Sequence, residues 1–168
     1  MPRRPVALGS IRLLVLDVDG VLTDGRLYYG PDGEAQKVFH VRDGAGLKAV
    51  MALGVQVAVI SGRNSAACAA RCVELGITDV WQGVDDKSAV LAALCRRLGI
   101  SPRQCACVGD DTPDLPLLAI AGLAVAVADA HPEARRAAHR CTVLAGGHGA
   151  VREVCDWLLA AKRPRSRQ

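Results

Sequence analysis

The stretch Ile11-Arg12-Leu13-Leu14-Val15-Leu16-Asp17-Val18-Asp19-Gly20-Val21-Leu22-Thr23 decides the fold. A short apolar run that breaks into two carboxylates and a glycine reads as a buried strand, over 12–18, opening into a polar loop. Outward from it, short apolar or β-branched runs alternate with longer helical patterns, the sign of an α/β fold built on a doubly wound parallel sheet. Further strands are expected over 55–60, 78–81, 104–108 and 123–127. Helices are expected over 65–75, 86–98, 113–121 and 149–161, with a short one from Pro132. Asp43 can cap another reaching about Leu53, and Asp86 can cap the helix that ends at Leu98. Gly30-Pro31-Asp32-Gly33, flanked by extended patterns at 26–29 and 36–41, predicts a β-hairpin inserted over about 25–41.

The chain has 168 residues, of which 51% are hydrophobic and 23% charged, enough for a single domain over 11–161 between tails at 1–10 and 162–168. Net charge is +4, but Arg3, Arg4, Lys162, Arg163, Arg165 and Arg167 lie in the tails, leaving 15 basic against 17 acidic residues in the body. That balance, with only 3% aromatic residues, argues against a nucleic-acid partner. The longest uncharged runs, 49–62 and 115–128, fall short of the roughly 20 residues that span a bilayer, so a cytoplasmic chain without a membrane segment is expected. The seven cysteines match no zinc spacing and read as small core residues in a reducing compartment.

Chemistry gathers where strands are expected to end. Asp17 and Asp19 stand at the carboxyl end of the first strand, where open α/β sheets bind ligands. Two such carboxylates repel unless a hard divalent cation joins them, and Asp110, Asp111 and Asp114 follow another apolar strand with further oxygens. Ser61, with the Gly62 amide behind it, suits a phosphoryl oxygen. Lys87, at a helix start, is a compact cation for the same group.

The ordered set DxDGxxT, S-G, K and GDDxxD resembles the haloacid dehalogenase superfamily of phosphohydrolases over nearly the whole chain. The resemblance implies that Asp17 is the nucleophile that becomes an aspartyl-phosphate and that Asp19 is the general acid and base. It also implies Ser61 and Lys87 as phosphoryl ligands, and Mg²⁺ on Asp17, the Asp19 carbonyl and Asp110, with Asp111 in support. Only 37 residues lie in 24–60 and 25 between Ser61 and Lys87, which leaves no room for a cap domain.

Capless, hairpin-bearing members include the 3-deoxy-D-manno-octulosonate 8-phosphate phosphatases, which serve lipopolysaccharide synthesis. This chain is similar to them in DVDGVLTDG, FHVRDGAG, VISGR, QGVDDK, GDD, VAVADAHP and GGHGAVREVCD. The likeness implies a sugar-acid phosphate substrate and a homotetramer formed through hairpins. It also implies substrate contacts at Asp19, His40, Val41, Arg42, Asp43, Gly44, Lys48, Arg63, Arg71 and Lys87. Residue type alone would leave Arg42, Lys48 and Arg71 on solvated helix faces. Relatives acting on nine-carbon 2-keto acid 9-phosphates often carry Glu at the position of Arg63, so the eight-carbon substrate is favoured. His40 in place of a common Asn, Thr112-Pro113 after GDD, and the basic tail depart from the family pattern.

Three rival readings compete with this one. A phospho-accepting signalling domain shares the acid cluster, hydroxyl and lysine, but lacks an acid equivalent to Asp19. A degenerate scaffold would not keep every motif residue. Gly44-Ala45-Gly46-Leu47-Lys48-Ala49 imitates a dinucleotide fingerprint, yet it is not at the first βα turn and has no acid about 20 residues on. Gly146-Gly147-His148-Gly149 reads as a glycine-rich lead-in to the last helix. His131, His139 and His148 lack spaced ligand partners and read as ordinary core or surface histidines.

Overall fold

A computed structural model describes residues 4–162. Its main sheet contains β1 (Leu13–Leu16), β4 (Gln56–Ile60), β5 (Asp79–Trp81), β6 (Cys105–Gly109), β7 (Leu123–Ala126) and β8 (Arg140–Cys141). The order is β5-β4-β1-β6-β7-β8 and every pairing is parallel. The chain builds outward from β1 through β4 to β5, then crosses back to lay β6 on the other side of β1. That reversal opens a crevice between the carboxyl ends of β1 and β6, the place where doubly wound sheets bind ligands.

The helices are α1 (Val41–Ala52), α2 (Ala66–Leu75), α3 (Lys87–Leu98), α4 (Leu115–Ile120), α5 (Pro132–Ala137) and α6 (Ala150–Lys162). α1 packs on α2 and α6, while α4 packs on α3 and α5, as right-handed crossovers to the two faces of the sheet require. Sandwiched this way, β1, β6 and β7 are buried along their whole length. That explains their unbroken apolar sequences. Six of the seven cysteines are buried, all seven are free, and Cys141 is exposed on β8.

The hairpin is displaced from its expected span. β2 (Tyr28–Gly30) pairs with β3 (Gly33–Gln36) around Pro31-Asp32, with a bulge at Tyr28/Tyr29, so residues 37–40 lie beyond the ladder rather than in a strand. Phe39 packs against the core there. Residues 4–10, expected as part of a tail, are docked: Val6 N–H donates to the Gly122 carbonyl at 3.1 Å, and Lys162 Nζ to the Gly9 carbonyl at 3.2 Å. Arg3 and the basic stretch 163–168 lie outside the described residues. The two-residue β8 had no signal, since both its side chains are exposed.

Asp43 does not cap α1. His40 does, its Nδ1 accepting from the Arg42 amide at 3.2 Å, and Asp43 lies inside the helix. Its Oδ1 instead accepts from the Arg152 amide at 2.8 Å, satisfying an orphan donor in the first turn of α6. The neighbouring glycines serve the same packing. A Cβ on Gly44 would lie 2.4 Å from an Arg71 guanidinium nitrogen, and one on Gly46 would lie 3.0 Å from Cys155 Cβ. The apparent dinucleotide fingerprint is thus the close approach of α1 to α2 and α6.

Asp43 is 2% exposed, and its Oδ2 has no partner among the described residues. Burial therefore raises its pKa, against the Arg152 amide and nearby His40 and Arg71. A carboxyl raised by folding makes the native state bind more protons, so its effect on stability worsens as pH climbs from about 4. Asp43→Ala should cost about 1–2 kcal/mol through the orphaned amide. Asp43→Asn should cost less, and its standing against the parent should improve as pH climbs above about 4 in thermal melts.

Candidate active site

Four strand ends converge on a cleft of about 320 Å³ lined by Asp17, Asp19, Ser61, Arg63, Lys87 and Asp110, among others. Asp17 follows β1, Ser61 follows β4, Asp110 follows β6, and Lys87 begins α3 after the turn from β5. Asp86 caps α3 by accepting from the Ala89 amide at 3.0 Å. This anchors the first turn from which Lys87 extends.

Lys87 is 5% exposed, and its Nζ donates to Asp17 Oδ1 at 2.8 Å and to Asp114 Oδ1 at 2.7 Å. Burial would pull the ammonium pKa down, but Asp17 and Asp114 outweigh it and the net shift is upward. One cation shared by two acids leaves excess negative charge. Desolvation first, and Asp114 second, raise Asp17 to about 6 despite Lys87. Asp110 rises to about 8, from burial and then from Asp17, Asp114 and Asp111.

Asp17, Asp110 and Asp114 bring carboxylate oxygens within 4.8 Å of one another. Among these, Asp114 is already occupied, since its Oδ2 accepts from the Asp110 amide at 3.0 Å while Oδ1 holds Lys87. Asp111 is exposed and spends Oδ1 on the Thr112 amide at 2.7 Å, so it lines the cleft without joining the carboxylate cluster. The donor set fits a hard divalent cation, because hard oxygens crowd together and their repulsion is only partly offset by Lys87. Gly20 keeps the space clear: at φ +88°, a Cβ there would lie 2.1 Å from Asp110 Oδ2.

The loop bearing the two aspartates is tied down on both sides. Thr23 Oγ1 accepts from the Gly20 and Gly25 amides at 3.3 and 3.2 Å. From behind, the Gly147 amide donates to the Val21 carbonyl at 3.0 Å, and a Cβ on Gly146 would lie 1.7 Å from the Gly20 carbonyl oxygen. The glycine-rich lead-in to α6 is therefore the backing of this loop. Ser61 is 2% exposed and its Oγ accepts from the Arg63 amide at 3.3 Å, which leaves its proton for a ligand.

The Asp19 side chain turns away from the carboxylate cluster toward two cations. Lys37 Nζ forms a short ion pair with Oδ1, and Arg63 Nε lies 3.7 Å from Oδ2. Lys37 and Glu34, both on or just past β3, were missed in the sequence, whose only signal was their opposite charge three residues apart. The other expected substrate residues lie elsewhere. His40, Asp43, Gly44 and Arg71 line a small depression with Leu22 and Phe39. Arg42 lines a third, with His148 and Arg152, while Val41 and Lys48 are exposed on α1.

A family model for haloacid dehalogenase-like hydrolases matches residues 73–153. The chain is 49% identical to the 3-deoxy-D-manno-octulosonate 8-phosphate phosphatase of Escherichia coli K12 over 91% of its own length and 81% of that protein's. The phosphatase of the same name from Yersinia pestis superposes with a TM-score of 0.90 at 46% identity, covering 93% of this chain and 84% of that one. The Moraxella catarrhalis phosphatase, solved with magnesium, phosphate and KDO, also gives 0.90, at 42% identity and covering 93% and 90%. With the motifs, the fold and the cleft in agreement, the chain belongs to the haloacid dehalogenase-like 3-deoxy-D-manno-octulosonate 8-phosphate phosphatase family.

Proposed function

We propose that this protein hydrolyses 3-deoxy-D-manno-octulosonate 8-phosphate to the free sugar acid and phosphate, in the cytoplasm. The observation that carries the phosphatase chemistry is the convergence of Asp17, Asp19, Ser61, Lys87 and Asp110 on one cleft at the β1/β6 crevice. In this reading an Asp17 oxygen attacks phosphorus, the bond from phosphorus to the sugar oxygen breaks, and Asp19 gives its proton to that oxygen. Asp19 then takes a proton from water, which attacks the aspartyl-phosphate and frees Asp17 and inorganic phosphate. Lys87 and the Ser61 hydroxyl hold the phosphoryl oxygens throughout. Asp17, Asp110 and the Asp19 carbonyl would hold Mg²⁺, with Asp111 in support; when bound, the ion offsets the charge on the phosphoryl group.

Arg63 supports a sugar-acid substrate, because a guanidinium fork matches a carboxylate. The remaining expected contacts, His40, Val41, Arg42, Asp43, Gly44, Lys48 and Arg71, line two other depressions or lie exposed on α1, and none of them lines the cleft. A neighbouring subunit that covers the open cleft reconciles this placement with substrate binding. Leu27, Tyr29, Val38 and Val41 are exposed on and beside the hairpin, which supports assembly through it as a homotetramer. No described helix is long and apolar enough to cross a membrane.

A kcat/KM panel tests the substrate: the eight-carbon 8-phosphate should exceed nine-carbon 9-phosphates and simple sugar phosphates by at least about tenfold, a discrimination of roughly 1.4 kcal/mol. Preference for a nine-carbon acid would move the assignment to that class, and persistence of the phosphoenzyme would favour a signalling domain. Light scattering should give a tetramer, and a fully active monomer would contradict closure by a neighbour. Raised carboxyls at Asp17 and Asp110 make the cation-free fold lose stability as pH rises from about 4 to about 8. Mg²⁺ should therefore raise Tm little at pH 5.5 and much more at pH 8.5. An equal rise at both would contradict the carboxylate cluster as its site.

A further inference from the structure

The hairpin carries a charged arrangement that the reaction outlined above does not use. Lys37 stands just past β3, yet its side chain is only 2% exposed. It bridges two acids, forming a short ion pair with Asp19 Oδ1 and a second with Glu34 Oε2 at 3.1 Å. Arg63 bridges the same two acids from the other side, with Nε 3.7 Å from Asp19 Oδ2 and a terminal nitrogen 3.4 Å from Glu34 Oε2. The same terminal nitrogen also donates to the Tyr29 hydroxyl at 3.2 Å. Two acids and two cations thus alternate around a closed ring. One acid faces the cleft, and Glu34 and Lys37 come from the hairpin.

Burying an ammonium is costly unless it is paired on more than one side. A lysine placed so, with its ammonium on Asp19, is poorly explained as a stabiliser of the hairpin alone, because Glu34 could hold it at the surface. Its geometric effect is specific. Asp19 Oδ1 is taken at short range, while Oδ2 has only the longer Arg63 approach. The carboxyl is therefore fixed in rotation, with Oδ2 as the oxygen left to carry a proton toward a leaving group.

We propose that Lys37, braced by Glu34, is a positioning residue that orients the Asp19 carboxyl for proton transfer to the leaving oxygen, and so couples the seating of the hairpin to catalysis. The proposal rests on the role of Asp19 given above. It makes the hairpin part of each subunit's own site, in addition to any contact it makes with a neighbour. The proton still moves from Asp19 to the sugar oxygen as the phosphorus–oxygen bond breaks, and Lys37 neither gains nor loses one.

The test is the rate of the first phosphoryl-transfer step, measured by rapid quench on the Mg²⁺-loaded enzyme with two substrates. A sugar 8-phosphate leaves as an alkoxide and needs the proton, whereas p-nitrophenyl phosphate leaves as a stable phenolate and does not. Lys37→Met should slow the step about 100-fold for the sugar phosphate, the low end of what a placed general acid contributes. For p-nitrophenyl phosphate it should slow it less than about threefold. Lys37→Arg should restore most of the rate, and Lys37→Gln reads the same split if the Met variant melts early. Equal losses on both substrates, or none on either, would overturn the proposal. Asp19→Asn run in parallel separates the causes. If it shows the split and Lys37→Met does not, Lys37 alone is misassigned; if neither shows it, the Asp19 role fails and the proposal with it.

Discussion

One buried ammonium shared between two carboxylates organises this molecule. Lys87 links Asp17, at the end of β1, to Asp114, beyond the end of β6, and so pins together the two strands that flank the crevice. Removing either partner of a buried pair strands a charge, at a cost of about 3–5 kcal/mol. The strands and loops around Lys87 therefore have little freedom to rearrange. Asp114 closes the arrangement by accepting from the Asp110 amide, which sets Asp110 opposite Asp17. The result is a pocket with more negative charge than its lysine can balance, prepared for a cation and a phosphoryl group.

The two aspartates of the first loop face different partners, and the roles proposed for them divide accordingly. Asp17 points into the buried cluster with Lys87, where it can be held against a phosphoryl group. Asp19 points to Lys37 and Arg63 at the mouth, where a leaving sugar oxygen would emerge. Small residues make this division possible. Gly20 admits Asp110, and Gly146 and Gly147 let the lead-in to α6 press against the loop from behind. Asp43 then ties α6 to α1, so the backing of the Asp17–Asp19 loop and the start of α1 share one support.

The parallel sheet and the residues at its strand ends were legible because both leave local marks: unbroken apolar runs, and polar residues directly after them. Asp17, Ser61, Lys87 and Asp110 needed only that register to be placed. What was hidden depends on contacts distant in sequence. Asp43 looks like a local cap, but its partner Arg152 is on α6. Gly44 and Gly46 imitate a cofactor loop because close helix packing and close phosphate approach both exclude a Cβ. Lys37 looks like an ordinary strand residue, since nothing local shows that the hairpin ends early and turns it onto Asp19. The partner of Asp114 was hidden for a similar reason: Asp111 and Asp114 both follow Asp110, and only the fold shows that Asp114 turns inward onto Lys87.

In the proposed reaction Asp17, held by Lys87, carries the phosphoryl group between substrate and water. Rapid acid quench of a single turnover with ³²P-labelled substrate, followed by peptide mapping, tests it most directly. The expected result is a hydroxylamine-labile label on the peptide containing Asp17 that is absent from Asp17→Asn. Turnover without a labelled peptide, or a label that maps to another residue, would contradict it.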